Sequence, residues 1–240
     1  MTSALAPLLE LRDVDPALTA ARAAVDAALR HRALRRSGGS LAAEVGLRSA
    51  VASAALEGHV FDLDQVRAGT VTDPVVQGAL RVSAALDGLA PRWTVAPRQV
   101  LAKLHLLAAR DCVGEEELGR PTGGAARLDQ LCSVITEPGG MPALLRAAVV
   151  HGELLAVHPF AGPSGVVARA AARLTLIADG LDPRGLIAPE VGHLAREPEY
   201  IGTANAFSTG TTDGVRSWLK HCGIAVELAA AELNALADGL

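Results

Sequence analysis

Apolar positions recur along this chain at helical spacing, and no segment reads as a convincing β-hairpin. The first strong pattern runs from Pro16 to Arg36, where Leu18, Ala21, Val25, Ala28, Leu29 and Leu34 approximate a 3.6-residue period. The SGGS stretch at Ser37–Ser40 is expected to end that helix, with Ser40 capping a second one that closes at Gly58. Two further helices are predicted over Asp73–Leu89 and Pro97–Ala109, and a Gly-rich, charged loop over Asp111–Arg127. TEPGGMP (Thr136–Pro142) reads as a turn into the helix ALLRAAVVHGELLAV. His158-Pro159 ends that helix, because the residue before a proline avoids the helical region. The loop FAGPSG then opens another helix, VVARAAARLTLIADG, and a last one is predicted over Asp213–Leu236. The fold class read from this pattern is all-α.

Composition agrees. Half the residues are apolar but only 2% are aromatic, so the core must be built from Leu, Val and Ala, which favour helix over strand. A formal charge of -4 without long single-sign runs gives no reason to expect nucleic acid as a partner. The local basic cluster of Arg30, His31, Arg32, Arg35 and Arg36 reads as a solvated helix end. Cys112, Cys132 and Cys222 are widely spaced and form no CxxC pattern, so neither a disulfide framework nor a zinc site is indicated. The start MTSALAPLLELRDVDP lacks the features of a signal peptide, and the most apolar stretch, Met141–Phe160, is interrupted by Arg146, His151 and Glu153. A soluble, cytoplasmic protein without a membrane partner is the expectation.

The segment joining two helices at residues 158–165 carries the candidate chemistry. A loop that feeds small residues into a helix start exposes unpaired backbone N–H groups, and the helix dipole adds partial positive charge there. AGPSGVVAR could therefore hold an anion, with His158 beside it and Arg169 one turn inside the helix.

Residues His158 to Arg169, HPFAGPSGVVAR, resemble the signature of the Fic (Fido) family, His-Pro-Phe-x-(Asp/Glu)-Gly-Asn-Gly-Arg-x-x-Arg, at the same length and spacing. The flanks are similar too: His151 before the motif, Leu101–His105, Leu118-Gly119-Arg120, the REPEY stretch at Arg196–Tyr200, and a helix containing Trp218. The similarity extends from about Ala50 to the C-terminus, which implies a Fic-like helical domain over 50–240 behind an N-terminal helical extension over 1–49. In the family the His is the general base for a protein hydroxyl attacking the α-phosphate of ATP; His158 takes that position, and an imidazole suits the role. The resemblance implies a nucleotide site at Gly162, Ser164, Gly165 and Arg169.

The motif is incomplete. The family's metal-binding acid corresponds to Gly162, so ATP is implied but Mg²⁺ is left without its usual ligand, and no metal-binding residue is assigned. Pro163 removes an N–H donor, Ser164 replaces Asn, and Val166 replaces the first Arg. Each such loss from a transition-state cradle costs roughly 3–4 kcal/mol. Upstream, Ser53-Ala54-Ala55-Leu56-Glu57-Gly58 resembles the family's inhibitory motif, (Ser/Thr)-x-x-x-Glu-(Gly/Asn), whose Glu pairs with the second motif Arg. Ser53, Glu57 and Gly58 thus form a candidate inhibitory set, with Glu57–Arg169 expected to staple the N-terminal helix to the core. Three functions compete: an eroded, catalytically weak or inactive nucleotide-binding or regulatory module; an active adenylyltransferase using Glu153 or another carboxylate for the metal; and a structural, dimeric helical protein without a small-molecule site.

Overall fold

The computed structural model describes residues 4–138 and 140–240. The start of the N-terminal segment at Met1–Ser3, and Gly139 of the Thr136–Pro142 turn, lie outside the described residues. Among the described residues the chain is helical throughout, with no strand. After a 3-10 turn at Ala6–Glu10 come α1 (Val14–Leu29), α2 (Leu34–Ala55), α3 (Leu63–Arg67), α4 (Pro74–Trp93), α5 (Pro97–Ala109) and α6 (Ala125–Thr136). The second half holds α7 (Ala143–Val157), α8 (Ser164–Ala178), α9 (Pro189–Ala195), α10 (Glu197–Ser208) and α11 (Thr212–Asp238). No helix is long and apolar enough to cross a membrane.

Helices α7 and α8 form the central pair, and both are buried on nearly every side. A helix apolar all round belongs in an interior. Around this pair lie two half-cores. One gathers α1, α10 and α11 with the start of α7 and the first half of α2. The other gathers α3 to α6 with α8 and the end of α2. Helix α2 runs unbroken across residues 49 and 50 and takes part in both. The two tryptophans anchor the halves. Both are fully buried, and each indole N–H is satisfied: Trp93 donates to Thr175 Oγ1 at 3.0 Å, and Trp218 to the Ala148 carbonyl at 2.8 Å.

The chain breaks its first helix earlier than the glycines suggest. Helix α1 stops at Leu29, His31 Nδ1 accepts from the Ala33 N–H, and SGGS lies inside α2. Leu34, Leu41 and Val45 explain why: they are buried on one face that continues across Gly38 and Gly39, so tertiary packing overrides the weak helix propensity of glycine. Helix α4 likewise runs past Leu89 and through Pro91, because burying Trp93 completely outweighs a proline near the helix end. The end of α2 does follow expectation. Gly58 sits at φ 87°, the His59 N–H reaches the Ala54 carbonyl at 3.0 Å, and the Gly58 N–H reaches Ala55 at 2.8 Å. This Schellman closure needs the left-handed residue that glycine supplies most cheaply, and it sets Glu57 on the last turn.

Because a Cβ at Gly39 would meet no atom within 4 Å, Gly39→Ala is predicted to stabilise the protein by about 0.5–1 kcal/mol in urea unfolding. A destabilised variant would instead mark residues 37–40 as a turn.

Candidate functional site

The loop between α7 and α8 is held from outside by one histidine. His105, fully buried on α5, donates from Nε2 to the Ala161 carbonyl at 2.9 Å and accepts the Gly119 N–H at Nδ1, also at 2.9 Å. Its ring stacks on Phe160 with centroids 4.7 Å apart. Both nitrogens are committed, so the ring is neutral with its proton on Nε2; burial lowers its pKa to match. Thr122 adds a backbone N–H to the Pro159 carbonyl at 2.8 Å. His158 therefore leaves the end of α7 in a left-handed conformation, φ 45° and ψ 57°, with its side chain exposed.

The cradle expected after His158 is narrow. Gly162 has φ 69°, and a Cβ there would approach Val113 Cγ1 to 2.8 Å, so Val113 occupies the space a longer side chain would need. Helix α8 starts behind Pro163 without a side-chain cap. Ser164 and Val166 are buried at 6% and 2% exposure, and neither is presented to solvent. A Cβ on Gly165 would fall inside the Glu57 carboxylate. The acid of α2 thus lies directly on the first turn of α8, where a negative charge is favoured by the helix dipole and the free N–H groups.

Arg169 organises what lies beneath. Only 2% exposed, it donates from Nε to Ser53 Oγ at 2.9 Å, and from Nη2 to the Ser53 carbonyl at 2.8 Å and to Glu57 Oε1 at 2.7 Å. Its Nη1 donates to the Tyr200 hydroxyl at 3.2 Å. Burial alone would lower its pKa, but Tyr200 and Glu57 outweigh it and raise the value. The Tyr200 hydroxyl, already accepting from Arg169, donates onward to His151 Nε2 at 3.0 Å, which puts the His151 proton on Nδ1. Burial, then the charge of Arg169 and the neighbouring His221, push the His151 pKa well below its ordinary value. His193 is lowered likewise by burial, and by the neighbouring His151, His221 and Arg169. It shares a 3.0 Å hydrogen bond with His221, whose other nitrogen lies 3.3 Å from Glu199 Oε1 without an aligned hydrogen bond.

The structure therefore joins Ser53, Glu57, Gly165 and Arg169 in one contact, with Gly58 shaping the turn behind it. His158 and Gly162 lie on the loop above. Glu153, the substitute acid, is instead bonded through Oε2 to Arg127 at 2.7 and 3.2 Å. Among the described residues no three His, Cys, Asp or Glu side chains come together to hold a metal ion, and Gly162 offers no side-chain ligand. Sequence reasoning missed Tyr200 as the second partner of Arg169, and it missed Arg173, which donates to Ser49 Oγ at 2.8 Å. The four-residue spacing shared by Arg169/Arg173 and Ser49/Ser53 was the available signal, since it places both pairs on facing helix stripes.

This arrangement of helices is the Fic fold. Over 92% of this chain and 75% of the other, it superposes on a Fic family protein from Desulfovibrio desulfuricans G20 with a TM-score of 0.73 at 22% identity. Caenorhabditis elegans Fic-1 matches over 97% of this chain and 75% of that one, with a TM-score of 0.75 at 18% identity. A glutamate-to-glycine variant of Fic-1 matches at 0.70 and 18% identity over 95% of this chain and 74% of that one. No family model matches the sequence, and no curated protein matches it significantly.

Two outcomes follow from the geometry. Gly162→Asp should lower stability by about 1–3 kcal/mol, through the Val113 contact and the positive φ, and Val113→Ala should recover part of the loss in the double variant. Buried neutral imidazoles bind fewer protons folded than unfolded, so their stabilisation is complete above their ordinary value of 6.5 and is lost as pH falls below it. Asp182, pushed up to about 6 by burial, acts in the opposite sense, so the informative quantity is a difference. His151→Gln should show a shallower fall in melting temperature from pH 7 to 5 than the wild type; equal slopes would mean that His151 is not held neutral.

Proposed function

We propose that this Fic-fold chain is a nucleotide-binding or regulatory module whose motif no longer supports efficient AMP transfer, with residues 50–240 as the Fic-like domain and 1–49 as its extension. The observation that carries this reading is the Glu57 carboxylate lying against Gly165 while paired with Arg169, at the place where the motif would receive a phosphate. Gly162, pressed by Val113, supports it from the other side of the loop, since that position supplies no metal ligand.

In this reading His158 is exposed and able to accept a proton from a protein hydroxyl, but no neighbouring group polarises a phosphate for attack. Gly162, Ser164, Gly165 and Arg169 would hold the phosphate end of ATP only after Glu57 gives up its place. Ser53, Glu57 and Gly58 act as the inhibitory set, and their main consequence is mechanical: they bind the end of α2 to α8. Conserving charge at Arg169 requires an anion there, whether Glu57 or a ligand.

Thermal unfolding separates the alternatives. ATP should raise the melting temperature of Glu57→Gly without needing Mg²⁺. A strictly Mg²⁺-dependent shift would favour the transferase, and no shift would favour a structural protein. Without nucleotide, Glu57→Gly should melt about 5 °C or more below the wild type, because it leaves a buried guanidinium short of its carboxylate.

A further inference from the structure

Behind the cradle, between α2, α4, α8 and α9, lies a small chamber. About 10 Å³ of it is open to the centre of a water-sized sphere, which is the room one water needs. Ser49, Ser53, Ser83, Val166, Arg173 and Glu190 are among the residues lining it. Two buried polar atoms of that lining have no hydrogen-bond partner: Glu190 Oε2, an acceptor, and Arg173 Nε, a donor. Glu190 is 3% exposed and Arg173 4%, so bulk water reaches neither side chain freely. Orphaned buried groups of this kind cost about 1–3 kcal/mol each, which a folded protein seldom leaves uncompensated.

Arg173 and Glu190 line one water-sized space, and their unpaired donor and acceptor are the complement of a water molecule, which accepts from one and donates to the other. A metal cation fits less well, because the guanidinium already supplies positive charge and the remaining lining is largely alanine, valine and leucine. The other Arg173 nitrogens are occupied: Nη1 donates to Ser49 Oγ and Nη2 to the Gly185 carbonyl, each at 2.8 Å. Arg173 and Ser49 thus repeat, one turn away, the pairing of Arg169 with Ser53.

We infer that the chamber is a binding site for a single buried water, and that this water joins Glu190 of α9 to Arg173 of α8, fixing the guanidinium that donates to Ser49 so that α2 stays seated on α8 without Glu57. The seam then has two arginines and two carboxylates. Glu57 closes the exposed end, and Glu190 secures the inner end through the water. Release of Glu57 from the cradle becomes a local movement of the last turn of α2 rather than the departure of the helix. This deepens the latch reading and takes its functional meaning from it, but the tests below use no nucleotide and stand apart from that reading's success or failure.

Magnetic relaxation dispersion of the whole chain counts long-lived internal waters. The wild type and Glu190→Gln should show one more than Glu190→Met, and equal counts in all three would overturn the site. Hydrogen exchange reads the seam. Measured against core amides of α11, which report global stability, amides around Ser49 should keep their relative protection within about twofold in Glu57→Gly, and lose at least about tenfold of it when Glu190→Met is added. Loss of that protection in Glu57→Gly alone would overturn the second anchor. Should Glu190→Met fail to fold, a high-resolution crystal structure of the wild type decides: a water bonded to both Glu190 Oε2 and Arg173 Nε supports the site. A collapsed or empty chamber, or density with the short contacts of a metal ion, overturns it.

Discussion

One buried cation sets the terms for the rest of this structure. Arg169 is enclosed near the start of α8, and a guanidinium cannot shed its charge, so everything around it must supply acceptors. Ser53 gives two, Tyr200 one and Glu57 a carboxylate. These partners come from α2 and α10, so satisfying a single side chain brings both helices against α8. Removing any one of them leaves a charge or donor stranded in the interior, which is far costlier than losing a surface ion pair.

The same constraint reaches outward through Tyr200. Its hydroxyl accepts from Arg169 and donates to His151, and this order forces the imidazole to stay neutral beside the cation. His193, Tyr200 and Trp218 pack around that ring and His221 stacks on His193, so much of the limited aromatic material of the chain surrounds the polar centre. Above the centre, the His105 strut and the stacked Phe160 hold in shape a loop whose residue 162 is glycine. At the loop itself, Gly162 carries no side chain and Val166 is apolar and buried.

Much of this was legible before any coordinates. Pro97–Ala109 and Ala143–Val157 match their expected bounds, because proline at one end and a continuous apolar pattern leave little choice. The pairing of Glu57 with Arg169 was readable from motif spacing. What escaped notice depended on tertiary packing. Glycine-rich SGGS looks like a terminus unless Leu34 and Leu41 are known to share a buried face. Helices α3, α9 and α10 are too short or too mixed in polarity for periodicity to reveal them, and α6 begins inside what reads as a loop. Tyr200 and Arg173 acquire their roles only when α10 and α2 meet α8, and local sequence does not record that meeting.

Under the proposed function, residues 158–169 no longer grip a metal–nucleotide complex, and freeing them from Glu57 restores little chemistry. Incubating Glu57→Gly with ATP labelled at the α-phosphate and Mg²⁺, beside Glu57→Gly/His158→Ala, tests it most directly. Equal background labelling of protein is expected in both. Strong labelling by Glu57→Gly that disappears with the His158 change would contradict it.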